Sequence, residues 1–139
     1  VQAQPVFRVS SRFQSGLVET VFARHIADKT NWQAMLKGDP EPRDLEQARQ
    51  QLTEECRPDV DALRDEHGLQ AITELVGEDE TRIRYPVLEY PTKVKSFNLD
   101  KDPVVEGTLT GIKGQYLIFD TGVINMRKYG GYELALHEE

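Results

Sequence analysis

The stretch Gly107-Thr-Leu-Thr-Gly-Ile-Lys-Gly-Gln-Tyr-Leu-Ile-Phe-Asp-Thr-Gly-Val-Ile-Asn-Met-Arg-Lys-Tyr-Gly-Gly-Tyr132 sets a glycine or a short turn between successive apolar runs. Lys113-Gly114, Asp120-Thr121-Gly122 and Tyr129-Gly130-Gly131 offer backbone positions where positive φ costs little. The spacing predicts a meander of four short strands, Val104–Ile112, Gln115–Asp120, Val123–Lys128 and Gly131–His137. Tyr116 to Phe119 is apolar on both faces, the mark of a central strand covered on two sides. In the last strand Tyr132, Leu134 and Leu136 alternate with Glu133, Ala135 and His137. A further strand is expected over Thr81–Glu89. Pro86 inside it cannot donate to a ladder, so an edge position or a bulge is expected there, and Tyr85-Pro86 and Tyr90-Pro91 are candidate cis bonds. About five strands suit a curled meander or a small, partly open barrel.

Upstream the period changes. Gln4 to Ser10 alternates as a short strand, with Val6 and Arg8 on one face and Phe7 and Val9 on the other. From Ser15 to about Leu36, apolar residues recur at helical spacing through Val18, Phe22 and Ile26. Asp39-Pro40 and Glu41-Pro42 form a rigid connector. From Asp44 to about His67, Leu45, Ala48, Leu52, Cys56, Val60 and Leu63 hold one stripe. Pro58 interrupts it and predicts a kink or two short helices, and Gly68 predicts the stop. The reading is an α+β chain: an amino-terminal strand and helix and an acidic helical segment over 1–80, then an antiparallel β-meander module over 81–139.

The formal charge of −7 is unevenly placed. Residues 1–38 carry five basic and two acidic side chains, residues 39–80 four and fourteen, and residues 81–139 eight of each. An acidic protein repels nucleic acid, but here the repulsion is concentrated in one segment and leaves the flanking segments able to present basic faces. The acids at 44–67 fall mostly opposite the apolar stripe, as a solvated face or an acidic recognition surface. No apolar run approaches the roughly 20 residues that span a bilayer. The one cysteine, Cys56, excludes an internal disulfide and falls on the apolar stripe as a small buried hydrophobe. Acidic balance and sparing cysteine predict a cytoplasmic protein without membrane contact. The first residue is Val1, which reads as a fragment or processed product.

Two sets of residues carry candidate chemistry. Lys113, Tyr116, Arg127, Lys128 and Tyr129 interleave rings and cations as a nucleic-acid-binding sheet does, the rings stacking bases and the cations meeting phosphates. The competing reading is plain packing, because strands favour tyrosine anyway. Glu19 lies beside the Val18–Phe22–Ile26 stripe, where a carboxylate suits a divalent-metal ligand or a partner for Arg8, Arg12 or Arg24. His25, His67 and His137 form no metal pattern, and no phosphate loop, dinucleotide fingerprint or nucleophile elbow is present.

Ser15-Gly-Leu-Val-Glu19, continuing through Asp28-Lys-Thr-Asn-Trp-Gln-Ala-Met-Leu-Lys-Gly38, and Tyr85-Pro-Val-Leu-Glu-Tyr-Pro91 with Glu106-Gly107 and Gly111-Ile-Lys-Gly-Gln-Tyr-Leu-Ile-Phe119 resemble the carboxyl-terminal half of domain-of-unknown-function family 2797. The resemblance implies a missing amino-terminal half with paired cysteines that bind zinc, followed by a segment reminiscent of the GIY-YIG nuclease core. Element order then puts Glu19 in the place of that core's metal-binding glutamate, in the intact protein only, with Asn31 a few turns later. The family carries no established activity. The expected function is a nucleic-acid-associated protein that contacts RNA or DNA through its meander, with no cofactor in this fragment and a divalent metal in the intact protein. The alternative is a structural or protein-interaction domain in which the acidic helices dock a basic partner or the missing half. A small-molecule pocket is a third reading, without a convergent polar motif behind it.

Overall fold

The computed structural model describes residues 1–27 and 29–138. The chain divides into two compact units: Val1–Thr30 with Pro40–Ile83, and Asn31–Asp39 with Arg84–Glu139. The second unit thus includes a short stretch from the middle of the amino-terminal half.

In the first unit the opening residues form one extended run, β1 (Gln2–Ala3) and β2 (Phe7–Val9), which turns directly into α1 (Arg12–Phe22). The long helix α3 (Leu45–His67) follows, then the return strands β3 (Ile72–Glu74) and β4 (Thr81–Arg82). β2 pairs antiparallel with β3 and β1 with β4. Where a full strand over Thr81–Glu89 was expected, only Thr81 and Arg82 form a strand, and Val87 adds one isolated antiparallel bridge to Gly111. The core gathers Val18, Val21, Cys56, Val60, Ala71 and Ile72, with Phe7, Val9, Phe22, Leu52 and Leu63 packed against it.

Two helical expectations are corrected. α1 stops at Phe22 rather than Leu36: Ile26 has no core to enter and is 51% exposed. Asn31, whose Oδ1 accepts the Ala34 N–H at 3.1 Å, starts a separate short helix, α2 (Trp32–Met35). At Pro58, where a kink or two short helices was expected, the two-helix alternative is overturned: α3 is one helix with Pro58 inside it. Pro58 and Glu54 are both exposed, so the Glu54 carbonyl that loses its donor is left to water. Asp44 caps the start, its Oδ1 accepting the Gln47 N–H at 2.9 Å, and Gly68 ends the helix at φ 97°.

In the second unit β5 (Leu109–Lys113), β6 (Tyr116–Phe119) and β7 (Gly122–Asn125) form an antiparallel three-stranded meander in sequence order. Gly114 takes φ 57° in the first turn. Gly122 is needed for a different reason: a Cβ there would lie 2.6 Å from the Phe97 ring and 2.8 Å from the Lys95 carbonyl. The sheet is open, not a closed barrel. Its predicted fourth strand, Gly131–His137, is absent: the Asn125 side chain accepts the Arg127 N–H at 3.2 Å and turns Met126–Tyr129 into a 3-10 turn that leaves the ladder. Tyr132, Leu134 and Leu136 are consequently exposed. Pro86 lies on the irregular margin of β5, its carbonyl accepting the Ile112 N–H at 2.9 Å, and no cis bond occurs among the described residues. Leu36, Tyr116, Ile118 and Val123 make the core, with Met35, Val87 and Val94 around them.

Candidate functional site

The meander residues expected to face a ligand mostly face inward. Lys113 is 1% exposed. Its Nζ donates to the Gly38 carbonyl at 3.0 Å, Asp39 Oδ1 at 2.9 Å and the Tyr90 hydroxyl at 3.1 Å. It also lies 4.7 Å from the Tyr90 ring centre and 6.0 Å from that of Tyr85. Burial alone would lower the ammonium pKa, but the bonds to Asp39 and Tyr90 outweigh it and hold the group above the ordinary lysine value. The bond from Lys113, then that from Tyr90, holds the Asp39 carboxyl below its usual range. This cation ties the residues after α2 to the sheet, and all its donors are taken.

Tyr116 is 7% exposed and stacks on Trp32 at 5.9 Å with the rings 4° from parallel. Its hydroxyl accepts from Asn125 Nδ2 at 3.4 Å. Tyr129 is 3% exposed; its hydroxyl accepts the Leu99 N–H at 3.0 Å and donates to the Phe97 carbonyl at 3.4 Å. Arg127 and Lys128 are exposed on the 3-10 turn, with Lys128 Nζ 5.3 Å from the Tyr129 ring centre. The structure thus brings two of the five residues to the surface side by side and commits the other three to internal partners.

Glu19 is exposed on α1. Arg24, one of its candidate partners, reaches Asp59 at 3.0 Å instead. Among the described residues no group of three or more histidine, cysteine or acidic side chains is placed to hold a metal ion. What Glu19 does line is a groove.

That groove, of about 470 Å³, runs between β2 and α1 in the first unit. Its walls are mostly apolar, with Val6, Phe7 and Val9 from the strand and Val18, Phe22, Ala23, Ile26 and Ala27 from the helix and the turn after it, and Ser15 and Glu19 are its polar lining. Phe7 and Phe22 meet edge to face at 5.7 Å on its floor. The groove exists because β2 is a sheet margin. The Val6 carbonyl accepts the Leu75 N–H at 2.9 Å, and the Ser10 N–H donates to the Ala71 carbonyl at 3.0 Å. Strand alternation then turns Arg8 toward β3, its partner being Thr73, and points the N–H and C=O of Phe7 and Val9 the other way. The sheet has two strands only, so that margin of β2 meets no third strand among the described residues.

A second groove, of about 490 Å³, continues from the first past Val6 and Ile26, which line both. Leu45, Ala48 and Leu52 of α3 give it an apolar wall, and Gln2, Gln4, His25 and Glu55 a polar rim. Arg49, buried beneath, has four of its five N–H donors engaged. Its guanidinium donates to both Glu46 oxygens at 2.7 and 3.1 Å, to Glu74 Oε1 at 3.1 Å and to the Leu75 carbonyl at 3.2 Å. The bonds from Arg49, then Gln50, bring the Glu46 carboxyl down to about 2. Gln4 Oε1 is buried without a donor, while the half-exposed Glu55 carboxylate accepts from Gln51 Nε2 at 2.9 Å through Oε1 and has Oε2 3.6 Å from His25 Nδ1.

Sequence alone marked Phe7, Val9 and Glu55 only as strand and helix positions. Alternation shows that a strand exists but not which margin lacks a neighbour, since that depends on where the return strands 72–74 and 81–82 settle.

The model of one protein family, described as protein of unknown function (DUF2797), matches residues 1–134. No curated protein and no solved structure matches the chain. No helix among the described residues is long and apolar enough to cross a membrane.

Proposed function

The chain belongs to the DUF2797 family, and on that footing we propose that it is a protein-docking domain whose first unit accepts an extended segment of a protein partner as an added strand along β2. The observation that carries this is the coincidence of two unfilled requirements in one place. The outward N–H and C=O groups of Phe7 and Val9 call for a strand. The groove beside them calls for the apolar side chains that such a strand would bring. Backbone pairing supplies affinity and the groove supplies selectivity, the division of labour in strand-addition recognition.

A second copy of the chain suits the margin less well. Antiparallel self-pairing centred on the strand would place Arg8 opposite Arg8, and like charges directly across a ladder are unfavourable. The partner is therefore a different polypeptide, apolar at alternate positions.

The test is fluorescence anisotropy with a labelled peptide of alternating valine and threonine, on the chain and on Val9→Pro. Proline removes the outward Val9 N–H and is tolerated at a sheet margin, so the β2–β3 ladder survives. Binding weakened about tenfold in Val9→Pro, with the far-UV spectrum retained, is the expected result. Equal binding to both proteins refutes the reading.

Nucleic-acid contact is a second reading, and the exposed neighbours Arg127 and Lys128 favour it. In that reading they touch phosphates, while Tyr116 and Tyr129 support the surface from within rather than stacking on bases. Single-stranded RNA or DNA would bind with an affinity that falls steeply with salt and is lost in Arg127→Ala/Lys128→Ala. Binding flat with salt would remove it.

A further inference from the structure

The two grooves of the first unit share Val6 and Ile26 and so form one trough along the extended run from Gln2 to Val9. A strand paired to Phe7 and Val9 cannot end at Val6 without leaving the second groove beside it empty. Gln4 lies three residues before Phe7, about 10 Å along an extended chain. The second groove differs from the first in its rim. Gln4 Oε1 is a buried acceptor with no donor, and Glu55 is a half-exposed carboxylate with Gln51 at 2.9 Å and His25 beyond hydrogen-bond reach. Arg49, the groove's one permanently cationic side chain, already directs four of its five N–H donors to Glu46, Glu74 and the Leu75 carbonyl. The surrounding helix is acidic, with Glu54, Glu55, Asp61, Asp65 and Glu66 exposed along it.

We infer that the docked segment carries a lysine or arginine two or three residues beyond the stretch paired to Phe7, and that this cation seats at the Glu55 carboxylate on the groove's rim. This deepens the docking proposal and rests on it: it assigns the partner's chemistry, an apolar alternating strand with a basic residue at one end. A lysine ammonium is a donor without acceptor capacity, which suits a half-exposed carboxylate with lone pairs left beyond the one Gln51 fills. Its long aliphatic stem would cover Leu52 and Ala48 while its head meets the rim. An acidic residue in the same place would meet the Glu55 carboxylate, like charge to like charge.

Two probes separate the claims: short valine–threonine peptides, one with lysine at the relevant end and one with glutamate there, titrated into the 139-residue chain and into Glu55→Gln. Glu55 is half-exposed on α3, so the substitution leaves the core alone. The lysine peptide should bind about fivefold more tightly than the glutamate peptide, the scale of one partly solvated ion pair. Glu55→Gln should shrink that preference to within about twofold. Equal affinity of the two peptides, or a preference unchanged in Glu55→Gln, overturns the assignment of the cation while strand docking stands. No perturbation of the Phe7 and Val9 amide signals by either peptide removes strand docking itself, and this inference with it.

Discussion

Replacing Lys113 by methionine separates an internal tie from a ligand contact. Methionine keeps the length of the aliphatic stem and removes the ammonium, so the bonds to the Gly38 carbonyl, Asp39 and the Tyr90 hydroxyl are lost together. The contributions are unequal. Asp39 is 60% exposed and keeps its bond to Tyr90 at 2.8 Å, so its share is discounted to under about 1 kcal/mol. The charge-assisted bonds to Gly38 and Tyr90 are worth about 1.5 kcal/mol each, and relief of the buried ammonium's desolvation offsets part of the total. A net loss of about 2–3 kcal/mol follows, a large share of the 5–15 kcal/mol that holds a typical domain together. The assay is urea unfolding followed by tryptophan fluorescence. Trp32 is the only tryptophan and stacks on Tyr116, so the signal reports the second unit. With a slope of about 1–1.5 kcal/mol/M, the midpoint should fall by about 2 M. A shift under about 0.5 M would refute the tie, and a loss of RNA affinity at unchanged midpoint would return Lys113 to the surface role its sequence position suggested.

Other outcomes follow from the same geometry. Glu46 has its folded pKa depressed to about 2; the stability it contributes is complete above the unfolded carboxylate value near 4.3 and is lost as pH falls from there toward 2, so thermal midpoints should be flat above about pH 5 and decline below it. In Glu46→Gln that part of the acid dependence should vanish. Gly122→Ala forces a methyl against Phe97 and the Lys95 carbonyl and should cost about 2 kcal/mol in the same tryptophan-monitored unfolding, against near neutrality for Gly130→Ala in the same unit, where the nearest atom, the Arg127 carbonyl oxygen, is 3.7 Å away. Cys56 is fully buried and burial pushes its thiol pKa up, so a thiol reagent should modify it only at the rate at which the first unit unfolds.

The parts of the fold legible in the sequence were those set by local rules. α3 was visible because Cys56 and Val60 keep a helical stripe and Asp44 and Gly68 supply its ends. The meander was visible because Lys113-Gly114 and Asp120-Thr121 leave the chain little choice but to reverse. What failed depended on partners distant in sequence. Tyr132, Leu134 and Leu136 alternate as well as any strand, yet the cap from Asn125 diverts the chain before they can pair. Tyr116 and Tyr129 looked like candidates for a surface because their inward partners, Trp32 and the backbone of Phe97 and Leu99, lie about 30 residues away or more. Lys113 belonged to the same problem: its acceptors at Gly38 and Asp39 lie some 75 residues upstream. The margin of β2 was hidden for the reciprocal reason, since an open edge is a missing long-range partner and leaves no mark in the strand's own alternation.

Amide exchange across β2 tests the central claim most directly. With the valine–threonine peptide bearing a terminal lysine added to saturation, the Phe7 and Val9 amides should become protected while Arg8, already turned toward Thr73, keeps its rate. Unchanged exchange at Phe7 and Val9, with any peptide-induced shifts confined to residues such as Arg127 and Lys128, would contradict it.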